Sequence, residues 1–231
     1  LASSMEVGLI TQTSIPLPVF FVVCLIGVTL GSVFLAGLSS AKSLSLIAAA
    51  CFFVRDLNVG SYDRLLGDIT IPLVLLLPRI FSKLFKIKIT SAMELVYVIF
   101  IILAQFIGSV VNLYNTVWWY DLFAHFLSGV LTSILALVVL NWFGIYKEKN
   151  REFNFLFIIS FTLMIASIWE FLEFGADTFF GMNVQHSLDT GVRDTMEDML
   201  IAFSGSLIVS ISYLVENKIA KNGFLKRVVS D

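Results

Sequence analysis

The sequence predicts an all-α fold, a polytopic transmembrane helix bundle of about seven helices. Three observations carry this reading. Of 231 residues, 58% are hydrophobic and only 14% charged. The mean hydropathy is +0.93. The apolar residues gather into runs of roughly 20, the length needed to cross about 30 Å of hydrocarbon. Soluble domains are about half apolar and a quarter charged, so this chain belongs in a bilayer. Its net charge of −2 comes without a basic stripe, which excludes nucleic acid as a partner. Cys24 and Cys51 sit in apolar runs without CxxC or Cys/His spacing, and read as small hydrophobes rather than a disulfide or zinc site.

Residues 1–14 form an N-terminal tail, in which LASS ahead of Met5 reads as a cloning remnant. The tail has no Lys or Arg, so the apolar run 15–37 lacks the basic flank of a cleaved signal and is expected to be a retained span. Pro16 and Pro18 fall in its first turn, where a missing N–H costs a helix little. Region 44–85 is expected to hold two short spans or a re-entrant pair, because apolar 44–54 is followed by the polar RDLNVGSYDRLLGD before ITIPLVLLLPRIF resumes. Pro72 and Pro78 there require neighbours that satisfy the carbonyls they free. Four further spans follow at 92–113, 121–144, 154–176 and 197–215. Residues 15–216 thus form a single transmembrane domain, and 217–231 a basic tail.

Orientation follows from Lys and Arg. Arg79, Lys83, Lys86 and Lys88 precede the 92–113 span, Lys147, Lys149 and Arg151 follow the 121–144 span, and Lys218, Lys221, Lys226 and Arg227 follow the last. Alternating spans put all three clusters on one face, expected to be cytoplasmic and to carry the C-terminus. Most acidic residues fall at the opposite, outer ends, beside an aromatic belt at Trp118 and Trp119.

The candidate site lies among those acids. On a helix turning 100° per residue, Asp121, His125, Ser128 and Thr132 fall on one narrow stripe. Glu170, Glu173 and Asp177 share one face of the next span, inside the otherwise apolar ASIWEFLEFGAD. Asp194 and Asp198 are one turn apart at the start of the last span, with Glu197 on the adjacent ridge. All three groups belong to outer ends, so they share a depth. An ionised carboxylate near mid-membrane costs about 2.5–3.5 kcal/mol on insertion scales, and several facing each other need a cation, shared protons or Arg partners. Only Arg55, Arg64, Arg193 and His125 are within reach. One imidazole with several carboxylates suits Zn, Mn, Fe or Mg, around one ion or a pair, and a bound divalent ion makes a hydroxide nucleophile available near neutrality.

Plainer roles stand beside these. Asp121 is also placed to cap its helix, and Asp194 and Asp198 to complement a helix dipole. Asp177, Asp189, Glu197 and His186 suit solvated positions. Glu94 and Gln105 suit helix-packing polar contacts, Arg64 a pairing with Asp63 or Asp68, and Arg193 a salt bridge or an anionic head group.

The YDR and YDL motifs, Asp121 with His125, the Gly-containing SGVL, then WEFLEF and DTMEDM, taken in order, resemble the YjdF-like integral membrane proteins. The resemblance runs from SYDRLLGDITIPLVLLLPR to Ser206. It implies a six-helix core over 44–215 with the 15–37 helix as an N-terminal addition, in a family without an assigned function. A looser similarity to VanZ-like proteins points to the cell envelope or lipids.

The leading expectation is a metal-dependent membrane enzyme acting on a lipid or lipid-linked substrate. Asp121, His125, Glu170 and Glu173 are the expected ligands, Asp194 and Asp198 the further ligand or general base, and Arg193 with Asp177 the substrate contacts. The alternatives are a transporter of divalent cations or a proton-coupled solute, and a structural membrane protein with a buried acidic network.

Overall fold

A computed structural model describes residues 62–86, 89–110, 112–147, 149–219 and 223–225, with isolated positions between 50 and 58. The expected span 15–37 and most of 44–61 lie outside the described residues. Among those described, the protein is all-helical, with no strand. The elements are α1 (Tyr62–Phe85), α2 (Ser91–Ile101) continued by a π-helix (Ile102–Val110), and α3 (Leu113–Thr116). They are followed by α4 (Tyr120–Trp142), α5 (Arg151–Phe180), α6 (Ser187–Thr190) and α7 (Arg193–Ile219). Among the described residues, three helices are long and apolar enough to cross a membrane: α4, α5 and the Arg193–Glu216 stretch of α7.

The polar segment that was expected to separate two short spans is helical from Tyr62, and α1 runs through both Pro72 and Pro78. Pro78 has no N–H for the carbonyl one turn before it, at Val74. Tyr97 of α2 supplies the missing donor, its hydroxyl donating to Val74 O at 2.7 Å. The 92–113 span likewise departs from a simple α-helix, because its second half is wound as the π-helix. Tyr120, at the start of α4, donates its hydroxyl to Leu103 O within that segment at 2.9 Å, which ties the α1–α2 pair to the main bundle.

The main bundle is α4 and α7 running parallel, with α5 antiparallel between their ends. Its closest approach is a contact of backbones. A Cβ on Gly129 of α4 would run into the backbone of Ala202 on α7, and a Cβ on Gly205 would run into Phe126 O. Small residues are what permit such a crossing in lipid, where helices gain from close packing rather than from hydrophobic exclusion. On α5, Thr162 shares hydrogen bonds with Ser133 at 3.0 Å and Thr132 at 3.4 Å, which fixes the antiparallel register.

Beyond this level the packing is apolar: Ala136 and Leu137, Ile158, and Val209 and Tyr213 form a buried cluster that also takes in Leu225 from the C-terminal segment. That segment folds back, with Leu225 N donating to Glu216 Oε2 at 3.2 Å. Fully buried Asn154 bridges the same end, donating to Tyr213 Oη at 2.7 Å and to Lys147 O at 3.1 Å. The connection Lys147–Asn150 therefore lies at the end of the bundle opposite Asp121.

Two glycines separate packing from propensity. A Cβ on Gly175 of α5 would meet only the Phe179 ring, at 3.9 Å, so Gly175→Ala is expected to stabilise by up to about 1 kcal/mol through helix propensity. Gly205→Ala should instead destabilise by about 1–3 kcal/mol through overpacking. Thermal unfolding in detergent reads both, and equal signs would mean that the crossing is not tight.

Candidate metal centre

The site forms where α4 and α7 begin and α5 ends. Trp118, 85% exposed just before α4, suits the interfacial aromatic belt. Helix α5 has 30 residues, about 45 Å at 1.5 Å per residue, which exceeds the hydrocarbon thickness. Part of it therefore extends beyond the hydrocarbon. Glu170 and Glu173 lie in its last turns, yet the outer side of the same turns stays apolar, with Phe171, Leu172, Phe174, Phe179 and Phe180 exposed.

Asp121 and His125 are one turn apart on α4, and the Gly129–Ala202 crossing sits one turn further along. On α7 the residue one turn before Ala202 is Asp198, so the crossing brings His125 and Asp198 face to face. His125 Nε2 lies 3.6 Å from Asp121 Oδ1 and 3.7 Å from Asp198 Oδ2. All three residues offer ligand atoms within 4.8 Å of one another. Donors about 2.1 Å from a shared ion stand about 3–4 Å apart, so this trio is spaced for coordination and is too open for mutual hydrogen bonds. Asp198 is 2% exposed and its Oδ1 has no hydrogen-bond partner among the described residues. An unpaired carboxylate oxygen at that depth is costly unless something neutralises it.

Glu170 is 4% exposed, and its Oε2 is likewise unpartnered. Thr195 and Gln185 are the polar side chains beside its carboxylate. Gln185 Nε2 also reaches Glu170 O at 3.4 Å and Thr195 Oγ1 at 3.2 Å, which ties the connecting loop to α5 and α7. Glu173 accepts a hydrogen bond from Trp169 Nε1 at 2.7 Å. Asp121, Glu170, Glu173, Asp194 and Asp198 all lie within electrostatic reach of one another's neighbourhood. Glu170, Glu173 and Asp194 nevertheless stand apart from the tight trio.

Two expected substrate contacts have partners inside the protein. Both oxygens of Asp177 are occupied, Oδ1 by Val184 N at 2.6 Å and Oδ2 by Gln185 N at 3.1 Å. The residue anchors the loop that leaves α5 at Gly181, whose left-handed φ of 66° ends the helix. Arg193 is largely exposed and donates Nε to Glu197 Oε1 at 2.6 Å. The side chains of Arg55 and Arg64 lie outside the described residues.

Three residues that sequence reasoning left aside also converge here. His186, with a φ of 49°, lies within electrostatic reach of Asp121 and Asp194. Gln185 bridges the Glu170 carbonyl and Thr195 as described. Tyr114 of α3 packs its ring on the bare backbone of Gly108 in the π-helix and meets Tyr120 edge-on at 5.6 Å. Burial pushes the Tyr114 phenol up, and Asp121, Tyr120, Glu173 and Asp198 act in the same direction. The only sequence signal for these positions was their polarity within short connections.

A family model described as a predicted membrane protein (DUF2238) matches residues 41–218. No curated protein and no solved structure matches the chain.

The loop anchor yields a test. Asp177→Ala removes two charge-assisted hydrogen bonds, each worth about 1.5–3 kcal/mol, and is expected to lower stability and to open residues 181–192 to limited proteolysis. Cleavage there at the native rate would show that Asp177 does not hold the loop.

Proposed function

Since the chain belongs to the DUF2238 family of predicted membrane proteins, we propose that it is a membrane enzyme that depends on a divalent metal and acts at the bilayer surface on a lipid or lipid-linked substrate. The observation that carries this reading is the convergence of Asp121, His125 and Asp198 from two helices, with an unpaired carboxylate oxygen buried at their meeting point. One imidazole with two or more carboxylates suits Zn, Mn, Fe or Mg, and such an ion supplies a Lewis acid and a hydroxide near neutral pH. Asp194 stands at the first turn of α7 as a base or further ligand. Tyr114 stands within electrostatic reach of the same acids, and the Arg193–Glu197 pair is exposed beside them, where an anionic head group competes for the guanidinium. The Lys147–Arg151 cluster at the opposite end of the bundle supports an orientation with the site outside and the C-terminus in the cytoplasm.

Metal analysis of the purified protein tests this. A divalent ion should co-purify, and His125→Ala should abolish it. Chelator should lower the thermal midpoint, by about 2.7 kcal/mol of stability if the free ion had stood at a hundred times its Kd. A metal-free preparation whose stability ignores both chelator and added divalent ions would overturn the reading.

A second reading, a transporter, draws on one observation. Beneath the site the α4–α5–α7 interface continues polar, through buried Ser133, Thr162, Ser206 and Ser210, and the last two hydroxyls have no partner among the described residues. Flux of Mn2+ or protons into proteoliposomes, lost in Ser206→Val, would favour it over the enzyme; sealed vesicles would not.

A further inference from the structure

One ion among Asp121, His125 and Asp198 leaves much of the acid unexplained. Its two carboxylates balance a single divalent charge, while Glu170, Glu173 and Asp194 remain close by and mutually repulsive. Glu170 sits at the level of the trio by register. Thr162 and Ser133 are hydrogen-bonded, and two turns in opposite chain directions lead from them to Glu170 and His125, each about 12 Å away. Its Oε2 is buried and unpartnered, and Gln185, which also bonds Thr195 Oγ1, holds the backbone carbonyl of Glu170. A buried carboxylate oxygen without a partner is costly unless a cation or proton meets it.

Asp198 supplies the link. Its Oδ2 is turned toward His125, and its Oδ1, equally buried, has no partner. A carboxylate that bridges two cations uses one oxygen for each, and paired ions of this kind stand about 3.5–4 Å apart.

We propose that the site holds two divalent cations bridged by Asp198, the first with Asp121 and His125 and the second with Glu170, Glu173 and Asp194. The second position is all oxygen, which selects a hard ion such as Mn2+ or Mg2+ over Zn2+. Occupying it requires Glu173 to turn from its Trp169 hydrogen bond, an adjustment of one exposed pairing. The proposal rests on the metal-dependent reading above, and the test separates the two.

The full chain in detergent is stripped with chelator, loaded with Mn2+ and freed of excess. Metal per chain is then measured together with the electron paramagnetic resonance spectrum. The expected result is two Mn2+ per chain with an exchange-coupled spectrum. Glu170→Gln should hold one Mn2+ and give the six-line pattern of an isolated ion, whereas Asp198→Asn should lose both. One Mn2+ per native chain with an isolated signal overturns the pair and leaves the single-metal site standing. No bound Mn2+ removes both. If Glu170→Gln fails to fold, the stoichiometry and spectrum of the native chain still decide.

Discussion

The acidic end of this bundle depends on two backbones touching. At Gly129, Ala202 and Gly205 the helices α4 and α7 meet without intervening side chains, and that contact admits little adjustment. A slip of one residue would move His125 by about 1.5 Å along the axis and rotate it by about 100°. Metal ligands tolerate only about 0.2 Å. The crossing thus acts as the register pin for His125 and Asp198, each one turn away from it. Side-chain packing alone, with its rotamer freedom, would hold that alignment less tightly.

The two ends of the bundle bury different polar groups. Away from the site, Leu137, Ile158 and Tyr213 are sealed in an apolar cluster, and the amide nitrogen of fully buried Asn154 joins Tyr213 to the Lys147 carbonyl. At the acidic end, Asp198 and Glu170 keep oxygens without partners. Asn154 Oδ1, Ser206 Oγ and Ser210 Oγ are also buried without partners among the described residues, so what sets the acidic end apart is that its unpaired atoms belong to carboxylates, whose burial costs more when they are charged.

Much of this was legible in the sequence, for identifiable reasons. Hydropathy located α4, α5 and α7 because each must face lipid along most of its length. The stripe of Asp121 and His125 and the acidic turn at Asp198 were legible because helical periodicity fixes their faces. The need for an outside donor near Pro78 was legible as well, but not that Tyr97 would be the donor, since that depends on how α2 lies against α1. Position in the fold also decides the roles of Gln185, His186 and Tyr114, which come from connections whose course no periodicity dictates. The π-helix left no trace in ILAQFIGSV, because shifting hydrogen bonds by one residue changes neither composition nor hydrophobic pattern. Arg193 and Asp177 carried charges suited to a substrate, and the structure gives them neighbours, Glu197 and the Val184–Gln185 backbone.

Helix α5 is longer than the hydrocarbon it crosses, and its lipid side stays aromatic and aliphatic through Phe179 and Phe180 while its inner side already carries Glu170 and Glu173. Acyl chains and carboxylates therefore share one depth on opposite faces of a single helix. In a thicker bilayer the apolar flank would be fully covered and the acids drawn toward the hydrocarbon. In a thinner one the flank would be wetted and the helix would tilt to hide it. Membrane thickness, and with it lipid composition, thus becomes a control on how wet the acidic centre is, acting through hydrophobic mismatch on a helix whose two faces end at different heights.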